Sequence, residues 1–547
     1  MMRFIRLLFV VLVVAGAAPS AQELGTISFP TSGAPAAQPA FLEGVKALHS
    51  FQFDEAADAF RRAQKADPDF ALAFWGEAMS YNHPLWAQQD VDAARKALEK
   101  LAPTHETRLA QAKLPKEKAF LEAMQTLYFS PGDKLARDRA YSDAMARLHA
   151  QWPDDHEIAT FYALSLLGTV RPGETGFRRQ ALAASIAMKI FAKNPKHPGA
   201  AHFIIHAFDD PERAPIGLAA ADAYAKIAPA AAHALHMPSH IYVQLGMWKE
   251  VVSSNVDAYK AAVATIARMK LAEGREDFHT LSWLAYGNLM LGRFDDAMRN
   301  LELARATAER NPKSRGVQNG YRAMRARHML ETGQWEKIVL DSGAAAPADA
   351  HADMPGMAGM SYADPSNAWI FIAGVSAAKL GDAAGAEAAA ARLRTARETT
   401  AAGDAYAAKG VAILEKEVAA LARLAAGRKD EAVRLAKEAA DIELTTDASS
   451  GPPEPMKPAL ELYGDLLLEI DRPGDAAAAY AQSLLRTPKR TPSLVGLARA
   501  SAKAGDLAAA RQHYTELATM PGAAPGSPAV QEAQKFLKAP PTEATRR

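Results

Sequence analysis

Cysteine is absent from this chain of 547 residues. That removes disulfides, thiolate zinc sites, iron–sulfur clusters and cysteine nucleophiles, and leaves histidine and carboxylate as the strong metal ligands. An excess of charge is also lacking, with 63 Lys+Arg against 62 Asp+Glu and a formal net charge of +1. No lysine/arginine block is long enough to track a phosphate backbone, so nucleic acid is not an expected partner. Long apolar runs are missing too. The best, Leu7 to Ala17, is eleven residues, too short to cross about 30 Å of hydrocarbon at about 1.5 Å per residue. No glycine-rich phosphate loop, G-x-S-x-G elbow, dinucleotide fingerprint or H-E-x-x-H motif occurs, which argues against nucleotide chemistry, that type of serine hydrolase and a zincin. Strand signals are nearly absent.

What is present is an ordinary folded composition, 49% hydrophobic and 23% charged, with length for several domain-sized units or one extended repeat array. The first segment reads as an address. Arg3 and Arg6 precede the apolar stretch, and Ala18-Pro19-Ser20-Ala21 offers small residues for cleavage, the pattern of a secretory signal peptide over residues 1–21. Its removal takes two positive charges and leaves a nearly neutral protein beyond the cytoplasmic membrane, in the periplasm of a Gram-negative cell, with no transmembrane anchor.

A repeat organises the remainder. Ala510 and Tyr514 follow Ala476 and Tyr480 by 34 residues, with Leu460 and Gly464 before them and Pro488 after the first pair. Gly44, Ala56, Phe60, Ala63 and Pro68 hold the matching offsets near the N-terminus. Thirty-four residues is the period of the tetratricopeptide repeat, and this spacing resembles that superfamily. Two antiparallel helices approach closely only where side chains are small, and a large residue fills the next groove. Gly246/Trp248, Gly292/Phe294 and Gly333/Trp335 mark further second helices, and Gly381, Gly427 and Gly505 mark more degenerate ones. The expected fold is therefore all-α, an α-solenoid of antiparallel helix pairs forming a superhelix. Residues 22–38 read as a flexible lead-in, 39–341 as an N-terminal solenoid, 342–366 as a Pro/Gly-rich linker, 367–520 as a C-terminal array, and 521–547 as a tail with one short helix over Val530 to Lys538.

The unusual chemistry is in the histidines. Six of fifteen, His197, His202, His206, His233, His236 and His240, fall within 44 residues. His202 and His206 are four apart, so on a helix both imidazoles share a face at the spacing that grips one metal ion; His236 and His240 repeat that spacing. Pro238 disturbs the second pair, because it breaks or starts a helix there and leaves His233 and His236 on an entering loop. His279 and His83 can face the same concave surface. Asp209 and Asp210, with Glu212, are candidate bases or orienting groups for the imidazoles, the alternative being caps of the helix after Pro211. Three roles for the histidines stay open: hydrogen-bonded structural residues, ligands of zinc, copper or iron, or metal-free ligand-binding and acid–base groups.

The blocks Phe74-Trp75-Gly76-Glu77, Asn82-His83-Pro84-Leu85-Trp86, Ala201-His202 through His206-Ala207-Phe208-Asp209-Asp210-Pro211, His236-Met237-Pro238-Ser239-His240-Ile241 and Phe278-His279-Thr280-Leu281-Ser282-Trp283 resemble a group of secreted bacterial tetratricopeptide proteins over residues 40 to 340. The resemblance implies an α-solenoid and a shared site among these residues, and implies no substrate.

Two functions follow. One is a scaffold binding a protein or peptide in its groove, with His83, Glu77, Trp86 and Trp283 among the lining residues and Trp75, Tyr81 and Trp248 as further aromatic anchors, an inference by analogy of fold. The other is a metal-dependent hydrolase or oxidase built on His202, His206, His233, His236, His240 and His279, with Asp209 or Asp210 assisting. A methionine- and histidine-bearing segment, His351 to Met360, reads as an apolar flap, with soft-metal binding as the alternative.

Overall fold

The computed structural model describes residues 23–340, apart from 175, 273 and 276, and residues 365–539. The proposed leader, the His351 to Met360 segment, nearly all of the 342–366 linker and the last eight residues lie outside these.

The helices pair as the small and large residues dictate. Phe60, on the helix Phe53–Ala66, is fully buried. It lies so close to Gly44 and Gly76 on the flanking helices that an added Cβ would meet its ring at 2.8 and 2.2 Å. Tyr480 repeats the arrangement between Gly464 and Gly496, at 2.9 and 2.3 Å. Glycine is required at these points because the neighbouring ring occupies the space of a side chain. Successive pairs stack along the chain from Gln38–His49 to Pro528–Lys538, and the fold is the expected all-α solenoid. Among the described residues a short hairpin pairs Asn82–His83 with Gln88–Gln89 across the turn Pro84–Trp86.

Helices open at Trp248 and Phe294, two residues after Gly246 and Gly292, and likewise at Ala383, Lys429 and Leu507 after Gly381, Gly427 and Gly505. Gly246 and Gly292 have φ of 64° and 65°, the left-handed region that ends a helix most easily at glycine. Gly333 also takes that conformation, but no helix follows it; residues 333–340 are irregular, with the main chain of Glu336 held at both ends by the Ser376 hydroxyl. The second helix expected at Trp335 is therefore absent.

Two boundaries differ from expectation. Residues 23–33 lack regular structure, as foreseen, yet they are not a flexible lead-in: Leu24 and Phe29 are buried in the N-terminal core, and the Ser32 hydroxyl donates to Glu117. The two arrays are not separated by the linker either. Val243, Trp248 and Leu291 share one core with Leu494, Tyr514 and Ala533, and Trp248 Nε1 donates to the Lys489 carbonyl at 2.9 Å. The tail helix, Pro528–Lys538, begins two residues before the expected one and docks on this middle region.

Candidate metal centre

Four short helices carry the histidines. The helix Pro198–Ala207 starts at a proline and is capped by His197, whose Nδ1 accepts from the Ala200 amide; nearly all of it is buried, which fixes the rotation that points His202 and His206 the same way. The helices Ala232–His236 and Pro238–Gln244 are nearly continuous, with Met237 in helical conformation between them. Pro238 cannot donate to the carbonyl one turn back, so it interrupts the hydrogen-bond ladder without throwing His233 and His236 onto a loop. Asp277 caps Phe278–Met290 by accepting from the Thr280 amide, and so sets His279 in the first turn.

These residues converge into two trios. His202 Nε2 lies 3.0 Å from His206 Nε2 and 3.1 Å from His233 Nε2. His236 Nε2 lies 3.2 Å from His240 Nε2 and 2.9 Å from His279 Nε2. The trios adjoin: the rings of His206 and His240 are 5.9 Å apart and those of His233 and His236 6.2 Å. Each i,i+4 pair belongs to one trio, as its spacing predicts, while His233 crosses to the partner pair. Nitrogens held by one ion at 2.0–2.1 Å lie about 3 Å from each other, the separation of two of the three pairs in each trio, and all three ring nitrogens lie within 4.8 Å of one another.

Neighbouring groups dictate which nitrogen of each imidazole carries its proton. His202 Nδ1 donates to the His49 carbonyl at 2.7 Å. His240 Nδ1 donates to Asp209 Oδ2 at 2.6 Å. His236 Nδ1 faces Asn255 Oδ1 at 2.6 Å, and the Asn255 amide nitrogen is already donated to the Val251 carbonyl, so the oxygen accepts. In each of these three rings Nδ1 carries a proton, so a ring holding only that one presents a lone pair at Nε2. With one proton on each ring, His236 and His240 face each other at 3.2 Å through two lone pairs. A cation between them turns that repulsion into ligation.

Five of these imidazoles also resist protonation. Burial, reinforced by mutual repulsion, holds His206, His233 and His236 well below the ordinary value, and His202 and His279 down to about 3. His202, His236 and His240 are buried; His206, His233 and His279 are half-buried and, with His236 and His240, line an open cavity of about 1730 Å³.

The other sequence candidates divide. Asp209 orients His240 and accepts from Gln244 Nε2 at 3.2 Å. Asp210 instead caps its own turn, accepting from the Glu212 and Arg213 amides, so its candidacy as a base gives way to a structural role. Trp86 lines the cavity, 6.2 Å from the His233 ring. His83 lines it too but stacks on Phe53 at 3.9 Å and joins neither trio. Glu77 is no groove residue: it is buried and bonded to Arg61, Gln64 and Lys100. Trp283 is buried against the His240 ring at 4.5 Å, and Trp75 and Trp248 are core residues.

Sequence reasoning missed three contributors. Asn255 and the His49 carbonyl fix two imidazoles from helices distant in sequence. Glu157 joins His49 and His197 at 2.7 and 3.1 Å in a fully buried cluster behind the first trio. Burial pushes the Glu157 carboxyl up, but the two imidazoles outweigh it and hold it at about 2. No motif spacing signals these residues, since each acts through tertiary contact alone.

No family model matches the chain, and no curated protein matches it. Among solved structures, the Cut9–Hcn1 assembly of the APC/C aligns at 12% identity over 94% of this chain and 79% of its own, with a TM-score of 0.35. Yeast Tom70 aligns at 10% identity over 92% and 94%, with a TM-score of 0.27. Human IFIT1, a dimer with m7Gppp-AAAA, aligns at 11% identity over 91% and 95%, with a TM-score of 0.35. The architecture here rests on the chain's own stacked helix pairs. Among the described residues no helix is long and apolar enough to cross a membrane.

Proposed function

We propose that the two histidine trios form a dinuclear metal centre, and that this helical-repeat protein is a metal-dependent oxidase. The observation that carries the reading is the convergence of three imidazole nitrogens in each trio, all within 4.8 Å of one another, with His236 and His240 Nε2 at 3.2 Å, where a bound cation would be ligated by both. Imidazole ligands suit copper, zinc or iron, and an all-nitrogen set disfavours magnesium, calcium and manganese. Three ligands per ion leave coordination positions open toward the cavity, the arrangement of catalytic rather than structural sites. The nearby carboxylates are committed, Asp209 to His240 and Gln244, Asp210 to its turn and Asp277 to Thr280. That favours oxidation over base-assisted hydrolysis. Bound copper or iron ions, one electron each, would supply a two-electron oxidation with dioxygen as acceptor. The chain's own part is to hold six imidazoles in place through Asp209, Asn255 and the His49 carbonyl, and to open one side of them to substrate.

Elemental analysis of protein purified without a histidine tag and loaded with copper, iron or zinc tests this. Two ions per chain are expected, one lost in each of His202→Ala and His236→Ala and both in the double variant, with oxidase turnover confined to the copper or iron form. No binding of any of the three metals would overturn the proposal.

A second reading, a scaffold for a protein or peptide, is favoured by the size of the cavity and the charged side chains at its rim, among them Arg61, Arg137 and Glu174. The two are compatible, since a cavity of about 1730 Å³ can admit an extended chain to the histidines. The leader in the sequence supports placing either activity outside the cytoplasm.

A further inference from the structure

A second, smaller cavity of about 290 Å³ lies behind the second trio. Its walls come from Phe278–Met290 and Arg315–Thr332, before the linker, and from Ala407–Ala425 and the 446–456 loop, after it. The wall is mostly apolar, with Trp283, Tyr286, Met324, Leu414 and Met456 prominent. It shares Phe278, His279 and residues 447, 448 and 450 with the large cavity, so it adjoins the imidazoles from the protein interior. Two observations indicate that its space belongs to a ligand. His328, in the wall and buried, has no hydrogen-bond partner at Nε2, and a buried nitrogen left unpaired costs free energy that a ligand hydroxyl or carbonyl recovers. Gly410 sits within a helix, where alanine is ordinarily preferred, and a Cβ there would meet no atom within 4 Å. Arg327, the one wall cation among the described residues, is already spent on the carbonyls of Pro453 and Met456.

We infer that this cavity binds a small, flat, mainly apolar ring compound with one hydrogen-bonding group, such as a phenol, and so supplies the substrate class of the adjoining centre. A cavity of about 150 Å³ lined by apolar side chains holds benzene, so this one accommodates one or two rings. The hydroxyl meets His328 and the ring packs against Trp283. The role as a substrate pocket rests on the metal-centre reading; the binding itself does not.

The test is titration of the metal-free chain with 2-naphthol and with naphthalene, followed by tryptophan fluorescence and calorimetry. 2-Naphthol should bind one per chain and about tenfold more tightly than naphthalene, the value of one hydrogen bond. His328→Phe should erase that difference. Gly410→Phe should weaken both probes at least tenfold while leaving metal content at the wild-type level; if that variant does not fold, Gly410→Leu is read in its place. His236→Ala should bind 2-naphthol as the wild type does, which separates failure of the cavity from failure of the metal centre. Absence of binding by either probe at millimolar concentration, or binding unaffected by filling Gly410, would overturn the inference.

Discussion

At the scale of single residues, the site depends on groups that never touch a ligand. Asp209 gives His240 its proton arrangement through a 2.6 Å hydrogen bond. Groups of this kind are worth about 10–100-fold in metal affinity. Asp209→Ala should therefore weaken one of the two ions by about that factor in competition with a chelator. Asp210→Ala removes a turn cap worth about 1 kcal/mol and should leave both affinities unchanged. The same imidazoles make the metal-free fold sensitive to acid. Five of them, His202, His206, His233, His236 and His279, resist protonation when folded, whereas in the unfolded chain they take protons near pH 6.5. Below that pH the unfolded state binds more protons, so stability is complete above about pH 6.5 and declines as pH falls toward 3. Thermal melts of metal-free protein from pH 7 to pH 4 should show a steady fall in Tm, shallower in His206→Gln, and flattened in its upper part by added metal.

At the scale of elements, close packing at glycine sets the repeat. Gly496→Ala would put a methyl 2.3 Å from the Tyr480 ring, and overpacking of this kind costs about 1–3 kcal/mol. Gly474→Ala, with open space around its Cβ in the neighbouring helix, should be neutral or stabilising by up to about 1 kcal/mol; paired melts of the two variants check both. Because such contacts recur at fixed offsets, the solenoid and most helix starts were legible in the sequence. So were the two i,i+4 histidine pairs, whose geometry is local to one helix or to two nearly continuous ones. The distribution of His233 and His279 between the pairs was not, since it depends on how separate helices dock. Glu77 was misread because a carboxylate beside aromatic residues gives no sign that Arg61, Gln64 and Lys100 will close around it. Trp335 misled in the opposite direction: its glycine signal is real, but the chain continues there as an irregular run tied to Ser376.

At the scale of the whole molecule, the buried cation Arg490 joins the two arrays. Arg490 is 1% exposed and donates to Glu331 at 2.9 Å through both terminal nitrogens, to Glu461 at 2.8 Å through Nε, and to the Tyr286 hydroxyl at 3.1 Å. Glu331 and Tyr286 lie before the linker, Glu461 and Arg490 after it, so the network fixes the register of one half against the other. Burial alone would lower the guanidinium pKa, but the two carboxylates hold it well above the usual value and the residue stays charged. Removing one partner of such a network strands the others, at a cost of about 3–5 kcal/mol, whereas replacing partners together with apolar residues is often neutral. Arg490→Met should therefore lower Tm sharply, and Arg490→Met/Glu331→Leu should recover much of the loss. The consequence reaches the site, because the 446–456 loop that walls the second cavity belongs to the half that Arg490 anchors. In Arg490→Met, hydrogen exchange should accelerate in that loop and 2-naphthol should bind more weakly, while the trios, built wholly from residues before the linker, keep their metal. Loss of metal in step with loss of naphthol would instead mean that the two halves form the centre together.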